Sequence, residues 1–233
     1  MTIDNFIEAL EKLGIKCTQK QLINLEKYYN LIIEYNKIMN LTRIISKEEM
    51  YLKNFYDSLT IIKEIDLNNV TKVCDIGSGA GFPGIVIKIF YPNLDVILID
   101  SLNKRVKFLN LVINTLNLKK IVAIHSRIEE YAIKNREYFD LVTARAVAPL
   151  NVLLEYSIPL LKQNAYFIAM KGKDYEKDNC YNVLKKLNAK IIDVNKFKLP
   201  YENSDRTLYK IMKAGKTPLK YPRKYSEIKN KPL

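Results

Sequence analysis

Tryptophan is absent from these 233 residues, histidine occurs once and cysteine three times. Cys17, Cys74 and Cys180 are odd in number and far apart, with no C-x-x-C pair. This excludes a disulfide scaffold and suits a reducing compartment. With His125 as the lone imidazole, no metal site is expected, and a Ser-His or Cys-His catalytic pair would have to use it. No apolar run approaches the roughly 18 residues that span a bilayer. The start, Met1-Thr2-Ile3-Asp4-Asn5, lacks the basic and apolar segments of a leader. A cytoplasmic protein without a membrane partner is therefore expected. Acids are also scarce: 25 Asp and Glu face 38 Lys and Arg, a net charge of +13. Such an excess points to a polyanionic partner, nucleic acid above all. Codon use in an AT-rich genome, which favours Lys and Asn, accounts for part of it.

Glycine is scarce too, with seven in the chain, yet four of them (Gly77, Gly79, Gly81 and Gly84) fall within one short stretch. The β-branched run before them ends in Asp75, giving Val73-Cys74-Asp75-Ile76-Gly77-Ser78-Gly79-Ala80-Gly81-Phe82-Pro83-Gly84. Glycine is needed where backbone turns sharply or touches a ligand. The dinucleotide fingerprint G-x-G-x-x-G would place its third glycine where Phe82 stands. The spacing D-x-G-x-G-x-G is instead that of the loop holding S-adenosylmethionine in Rossmann-like methyltransferases. That ligand has no pyrophosphate, so the glycines make room for its amino-acid tail and ribose.

Residues 1–65 read as helical. Phe6, Ile7, Leu10 and Leu13 share a face before Gly14; Thr18 caps a second helix; Ser46 and Glu49 form a capping box for a third. From about residue 70, strands alternate with helices. The strands are expected at Lys72–Ile76, Leu94–Ile99, Ile121–His125, Phe139–Ala144 and Ala165–Met170. Helices are expected at Gly84–Phe90, Asn103–Leu116, Pro149–Leu161 and Asp174–Leu187. Near-continuous apolar strands separated by amphipathic helices imply a parallel sheet covered on both faces. Lys190–Leu199 and Arg206–Ala214 have no helix between them and should pair as an antiparallel hairpin. The fold class is thus α/β: a Rossmann-like class I methyltransferase sheet, mainly parallel, closed by an antiparallel hairpin strand and preceded by a helical extension. The division is 1–65 helical extension, 66–214 methyltransferase domain and 215–233 basic tail. Pro218, Pro222 and Pro232 should keep that tail out of regular structure.

Ligands of such sheets sit beyond the carboxyl ends of the strands. Asp100 ends the second strand, where an acid accepts from ribose hydroxyls; capping the helix near Asn103 is its other reading. Residues 127–129 follow the third strand, beside the expected adenine, with Ile128 suited to a flat base. A solvated charged turn is the competing reading there. Arg145, between alanines at the end of the fourth strand, can pair with a cofactor carboxylate, a protein acid or a substrate phosphate. Arg105, Arg127, Arg145 and Lys171 make the mouth positive, as a phosphate backbone requires. Arg206, and Arg223 and Lys224 in the tail, add to the expected RNA contacts. The N-P-P-Y and D-P-P-Y motifs of exocyclic-amine methyltransferases are absent, as is a Pro-Cys pair of the cytosine-C5 kind. A ring nitrogen such as guanine N7, which holds a lone pair and no proton, needs positioning and no general base.

The chain resembles the bacterial 16S rRNA guanine-N7 methyltransferase family, also called glucose-inhibited division protein B, over nearly its whole length. The likeness rests on Asn40-Leu41-Thr42, Phe55-Tyr56-Asp57-Ser58-Leu59, the glycine loop, and Asp100-Ser101-Leu102-Asn103-Lys104-Arg105. It continues in Thr143 to Pro149, Leu199-Pro200, Ser204-Asp205-Arg206 and Tyr221-Pro222-Arg223-Lys224. The resemblance implies S-adenosylmethionine as cofactor and a guanine near the decoding site of 16S rRNA as target. The partner is then 16S rRNA or the assembling small ribosomal subunit, met by a monomer. It implies cofactor contacts at Gly77, Phe82, Ile128, Glu129 and Arg145, to which the residue reading adds Gly79 and Asp100. Arg145 is the expected positioning residue in catalysis. Two departures stand out: Asn54 replaces the family's usual histidine, and the tail lacks the family's Gly and Pro after Tyr225. The other readings are a methyltransferase of a different RNA position, of a small molecule or of a protein, and a non-catalytic RNA-binding Rossmann protein.

Overall fold

Apolar β-branched segments buried on both faces dictate a parallel sheet at the centre of the molecule. The computed structural model describes residues 1–173 and 180–233. Among them α1 (Ile3–Lys12) and α2 (Gln19–Met39) come first, followed by α3 (Lys47–Met50) and α4 (Asp57–Leu59). Then β1 (Lys72–Ile76), α5 (Gly84–Phe90), β2 (Asp95–Asp100), α6 (Asn103–Thr115) and β3 (Ile121–His125) alternate. After α7 (Ile128–Lys134) come β4 (Phe139–Arg145), α8 (Leu150–Ser157), β5 (Leu161–Lys171), α9 (Cys180–Leu187), β6 (Ala189–Lys198), β7 (Asp205–Lys213) and α10 (Tyr225–Asn230). The sheet runs β3-β2-β1-β4-β5-β7-β6, with β7 antiparallel to both β5 and β6. The strand order therefore reverses between β1 and β4, and a ligand crevice opens beyond their carboxyl ends.

The helical caps form as their residues dictate. The Thr18 side chain accepts from Gln21 N–H while Gln21 reaches back to Thr18 N–H. Ser46 accepts from Glu49 N–H, but the Glu49 carboxylate accepts from Lys53 Nζ at 2.7 Å, so only half of the expected capping box forms. Between α3 and α4 the chain opens into a π-helical turn, Tyr51–Tyr56. The sequence pattern implies one continuous helix here. The wider turn buries Tyr51, Asn54 and Phe55 and is of the kind often found at functional sites. Phe55 stacks on Tyr28 at 5.8 Å, and Tyr28 lies 5.4 Å from Phe82 between ring centres, joining the helical segment to the glycine loop.

Other departures have local causes. Pro159 ends α8 early in a 3₁₀ turn, so β5 begins at Leu161 and not at Ala165. The expected helix over 174–187 is seen from Cys180; residues 174–179 lie outside the described set. A helix, α7, stands where a charged turn was one reading, with Glu129 and Glu130 favourably placed in its first turn. The tail also contradicts expectation. Its proline-free stretch between Pro222 and Pro232 forms α10, with Ile228 fully buried. Arg136 donates to the carbonyls of Thr217 (2.7 Å) and Tyr221 and so staples the chain leading to it.

Candidate active site

Two cavities flank the point where the strand order reverses, and both are bordered by Gly77, Arg105 and Ala146. Gly77 has φ +68°, and a Cβ there would lie 2.7 Å from a Val147 methyl. Glycine thus lets the loop after β1 touch the loop after β4. Gly81 has φ +103°, and its Cβ would lie 2.6 Å from the Tyr28 hydroxyl. That hydroxyl donates to the Ala80 carbonyl at 2.5 Å, so α2 holds the glycine loop from outside. Beneath the loop Asp75 is fully buried, with one oxygen accepting from Gly84 N–H at 3.0 Å and the other without a partner. Burial pushes its carboxyl up to about 7.

The first cavity, about 490 Å³, is lined by Asp100, Ser101, Arg127, Ile128, Glu129, Val147, Pro149, Val152 and Tyr156. Its outer side comes from Tyr225, Lys229 and Pro232 of the tail. Asp100 Oδ2 accepts from Gly79 N–H at 2.9 Å, and Oδ1 accepts from Leu102 N–H at 2.9 Å. The N-cap position of α6 is Leu102, so Asp100 is a brace of the glycine loop and not that helix's cap. Arg105 stands 3.4 Å from the same carboxylate. Glu129 is 4% exposed and its Oε1 has no hydrogen-bond partner. Desolvation raises its carboxyl above the ordinary range. Buried polar groups are normally satisfied. A buried acceptor left without a partner on the wall of this chamber fits a ligand that brings its own hydroxyl or amine donors. A nucleoside does so, and the residues present therefore fit the adenosine part of S-adenosylmethionine.

The second cavity, about 480 Å³, is lined by Lys53, Asn54, Asp57, Phe82, Arg145, Lys171, Arg206 and the glycine loop. Ala146 adopts φ +55°, strained for a residue with a Cβ. Arg145 before it lines the second cavity and Val147 after it lines the first. Arg145 donates to the Lys53 carbonyl (2.7 Å), to Asn54 Oδ1 (2.6 Å) and to Asp57 Oδ2 (3.3 Å). Its guanidinium also lies 5.0 Å from the Phe82 ring centre. Asp57 Oδ1 accepts from Arg206 Nε at 2.9 Å, so one nearly buried carboxylate orients two arginines. Of the pairings open to Arg145, a protein acid is the one observed. Asn54, at the position where the family usually has histidine, accepts from Arg145 through its Oδ1.

Lys171 donates to the Ala148 carbonyl at 2.6 Å on the same rim. Arg127 is exposed and its guanidinium lies 4.3 Å over the Tyr225 ring. Arg223 departs from expectation. Its Nε and Nη2 donate to Glu155 at 2.8 and 2.7 Å, its backbone N–H donates to the same carboxylate, and its Nη1 to the Lys231 carbonyl. It is an anchor of the tail, where its charge suggested a phosphate contact. Lys224 beside it is exposed and lines neither cavity. His125 ends β3 as expected but is exposed, with Nε2 3.0 Å from the Ser101 carbonyl, and lines neither cavity. Asp57 and Lys53 were not singled out by sequence reasoning. The available signal was an acid, Asp57, in the apolar string Phe55-Tyr56-Asp57-Ser58-Leu59.

A family model described as rRNA small subunit methyltransferase G, GidB, matches residues 21–204. The chain belongs to this family. It is 48% identical over 229 residues to the ribosomal RNA small subunit methyltransferase G of Lysinibacillus sphaericus, covering 96% of each chain. The Bacillus subtilis protein of that name is 42% identical over 239 residues, covering 100% of this chain and 99% of its own. Among solved structures, a SAM-dependent methyltransferase from Aquifex aeolicus superposes with a TM-score of 0.54 at 18% identity, over 72% of this chain and 94% of that one. The M. jannaschii TYW2 complex with AdoMet gives 0.55 at 14% identity, over 73% and 78%. These two likenesses show the Rossmann-like class I fold. No helix among the described residues is long and apolar enough to cross a membrane, and none of their acidic, histidine and cysteine side chains cluster as a metal site.

Proposed function

We propose that this GidB-family protein is a cytoplasmic methyltransferase that uses S-adenosylmethionine to methylate N7 of a guanine in 16S rRNA, free or within an assembling small subunit. A monomer holds the whole site, and no metal takes part. In this reading residues 66–214 are the methyltransferase domain, 1–65 floor the acceptor cavity, and 215–233 are the tail. The observation that carries the reading is the pairing of two cavities across Gly77 and Ala146. One is suited to a nucleoside; the other is rimmed by Lys53, Arg105, Arg145, Lys171 and Arg206.

Asp100 and Glu129 would accept from the cofactor's adenosine, Ile128 would cover its base, and Gly77, Gly79 and Phe82 would leave room for its tail. When bound, the cofactor supplies an electrophilic methyl carbon on a sulfonium. The chain's residues have two tasks, to orient the base and to hold the phosphates around it. Lys171 and Arg206 on the rim of the second cavity, with Arg105 between the cavities, would meet the backbone phosphates of a splayed-out nucleotide. Arg145, fixed by three acceptors of the π-turn region and by Phe82, presents a rigid cationic wall that positions reactants.

Asp57 is the carboxylate among the residues lining the acceptor cavity, and both its oxygens are engaged by guanidinium hydrogens. The described lining therefore offers no group poised to remove a proton. That suits an acceptor with a lone pair and no hydrogen, as N7 of guanine presents in the major groove. Incubation with labelled cofactor and either small subunits or naked 16S rRNA from unmodified cells tests the reading. Label in N7-methylguanine is expected; label confined to protein or small molecules refutes it.

A further inference from the structure

The tail was expected to meet RNA, yet its polar anchors turn inward. Arg223 is clamped by Glu155, itself fully buried, while Ile228 is buried in the hydrophobic cluster that includes Leu153, Leu154 and Phe167. These contacts lay α10 along the open side of the first cavity, which Tyr225, Lys229 and Pro232 line together with Ile128 and Glu129. The inner walls from Ile128, Val147, Pro149 and Val152 are aliphatic. Tyr225 and Tyr156 are the aromatic side chains lining the chamber, and of these Tyr156 is buried whereas Tyr225 is exposed at the mouth. Arg127 lies over the Tyr225 ring, its guanidinium carbon 4.3 Å from the ring centre. A cation held over one face of a ring restricts that ring's orientation. The orphaned Glu129 Oε1 in the same chamber independently calls for a donor-bearing ligand.

We propose that Tyr225, held by Arg127 and carried by the clamped tail, is the outer wall of the nucleoside chamber and contacts the purine of the cofactor. This rests on the reading of the first cavity as the S-adenosylmethionine site. It gives the C-terminal segment a role in cofactor retention and takes Arg127 out of the set of phosphate ligands. A purine presents a π-face to any aromatic neighbour, and such stacking is worth about 1–3 kcal/mol per base by substitution. Tyr225 is half-exposed at the mouth, so its removal should not unfold the chain, and the lower part of that range applies. That corresponds to a loss of roughly five- to tenfold in affinity.

The test is calorimetric titration of the full-length protein with S-adenosylhomocysteine and separately with 5′-methylthioadenosine, which lacks the amino-acid tail. Tyr225→Ala should weaken both ligands by the same five- to tenfold, Tyr225→Phe should bind like the unaltered protein, and Arg127→Met should fall between them. The slope of RNA affinity against salt should be the same for Tyr225→Ala and Arg127→Met as for the unaltered chain. Unchanged affinity for both ligands in Tyr225→Ala, with the unaltered protein binding normally, overturns the proposal. So does a loss confined to S-adenosylhomocysteine, which would move Tyr225 from the purine to the amino-acid end. If the unaltered protein binds neither ligand, the reading of the cavity itself fails, a result distinct from either.

Discussion

Replacing Asp100 by alanine removes one carboxylate that meets four groups in the proposed complex. Three are visible: the N–H of Gly79, the N–H of Leu102 and the guanidinium of Arg105, at 2.9, 2.9 and 3.4 Å. The fourth is a ribose hydroxyl. A hydrogen bond to a charged partner contributes about 1.5–3 kcal/mol, so removing the ribose contact alone should raise the dissociation constant about 10- to 150-fold. The glycine loop is also deprived of its brace, which takes up the Gly79 and Leu102 N–H groups. Leaving such groups unsatisfied costs about 1–3 kcal/mol, which for a protein of this size lowers Tm by roughly 2–4 °C per kcal/mol. Calorimetry with S-adenosylhomocysteine and a thermal melt without ligand separate the two effects. Asp100→Asn keeps an acceptor for one N–H but no charge, and should recover part of the melt while binding remains weak. A lowered Tm with an unchanged dissociation constant would refute the ribose contact and leave Asp100 as a brace only.

Three further outcomes follow from the site. Asp57→Ala should leave Arg145 and Arg206 without their shared carboxylate and cut kcat about 10²-fold through misplacement; a cofactor affinity reduced to the same extent would contradict an acceptor-side role. The double variant Lys171→Ala and Arg206→Ala should flatten the log–log salt dependence of RNA binding by about 0.7 for each single-strand phosphate that is no longer neutralised; an identical slope would remove both residues from the interface. Asp75 has its carboxyl raised by burial to about 7 from an ordinary 3.8, so the folded state holds its proton longer than the unfolded state does. Its contribution is then fully present below about pH 4 and declines as pH rises towards 7, at up to about 1.36 kcal/mol per unit. The unaltered protein should lose stability over that window relative to Asp75→Asn, and parallel stability curves for the two would contradict the buried, half-unpaired carboxyl.

The parts of the site legible in the sequence are those built by neighbours along the chain. The glycine loop is local, because the room needed at Gly77 and Gly81 is recorded as a missing Cβ in one stretch. Asp100 is legible because strand ends and ligand crevices coincide in doubly wound sheets. The Asp57 clasp was not legible, since it joins Asp57, Arg145 and Arg206 from three distant segments and depends on a π-turn that no periodicity announces. The tail misled for the same reason. Its charges suggest an RNA contact, but the acid that neutralises Arg223 is Glu155, far upstream on α8. The short α7 escaped because its apolar period, Ile128, Tyr131 and Ala132 at i, i+3 and i+4, spans little more than one turn.

The central claim, transfer of a methyl group to guanine N7 of 16S rRNA without a general base, is tested most directly by mapping the product over a range of pH. Label from S-adenosylmethionine should appear at one guanine, and chain scission after borohydride and aniline treatment should mark it as N7-methylated. The single-turnover rate should show no essential ionisation near pH 6.5, where an unperturbed histidine titrates, and His125→Asn should behave like the unaltered enzyme. A product resistant to scission, or a limb near pH 6.5 that His125→Asn abolishes, would contradict the account.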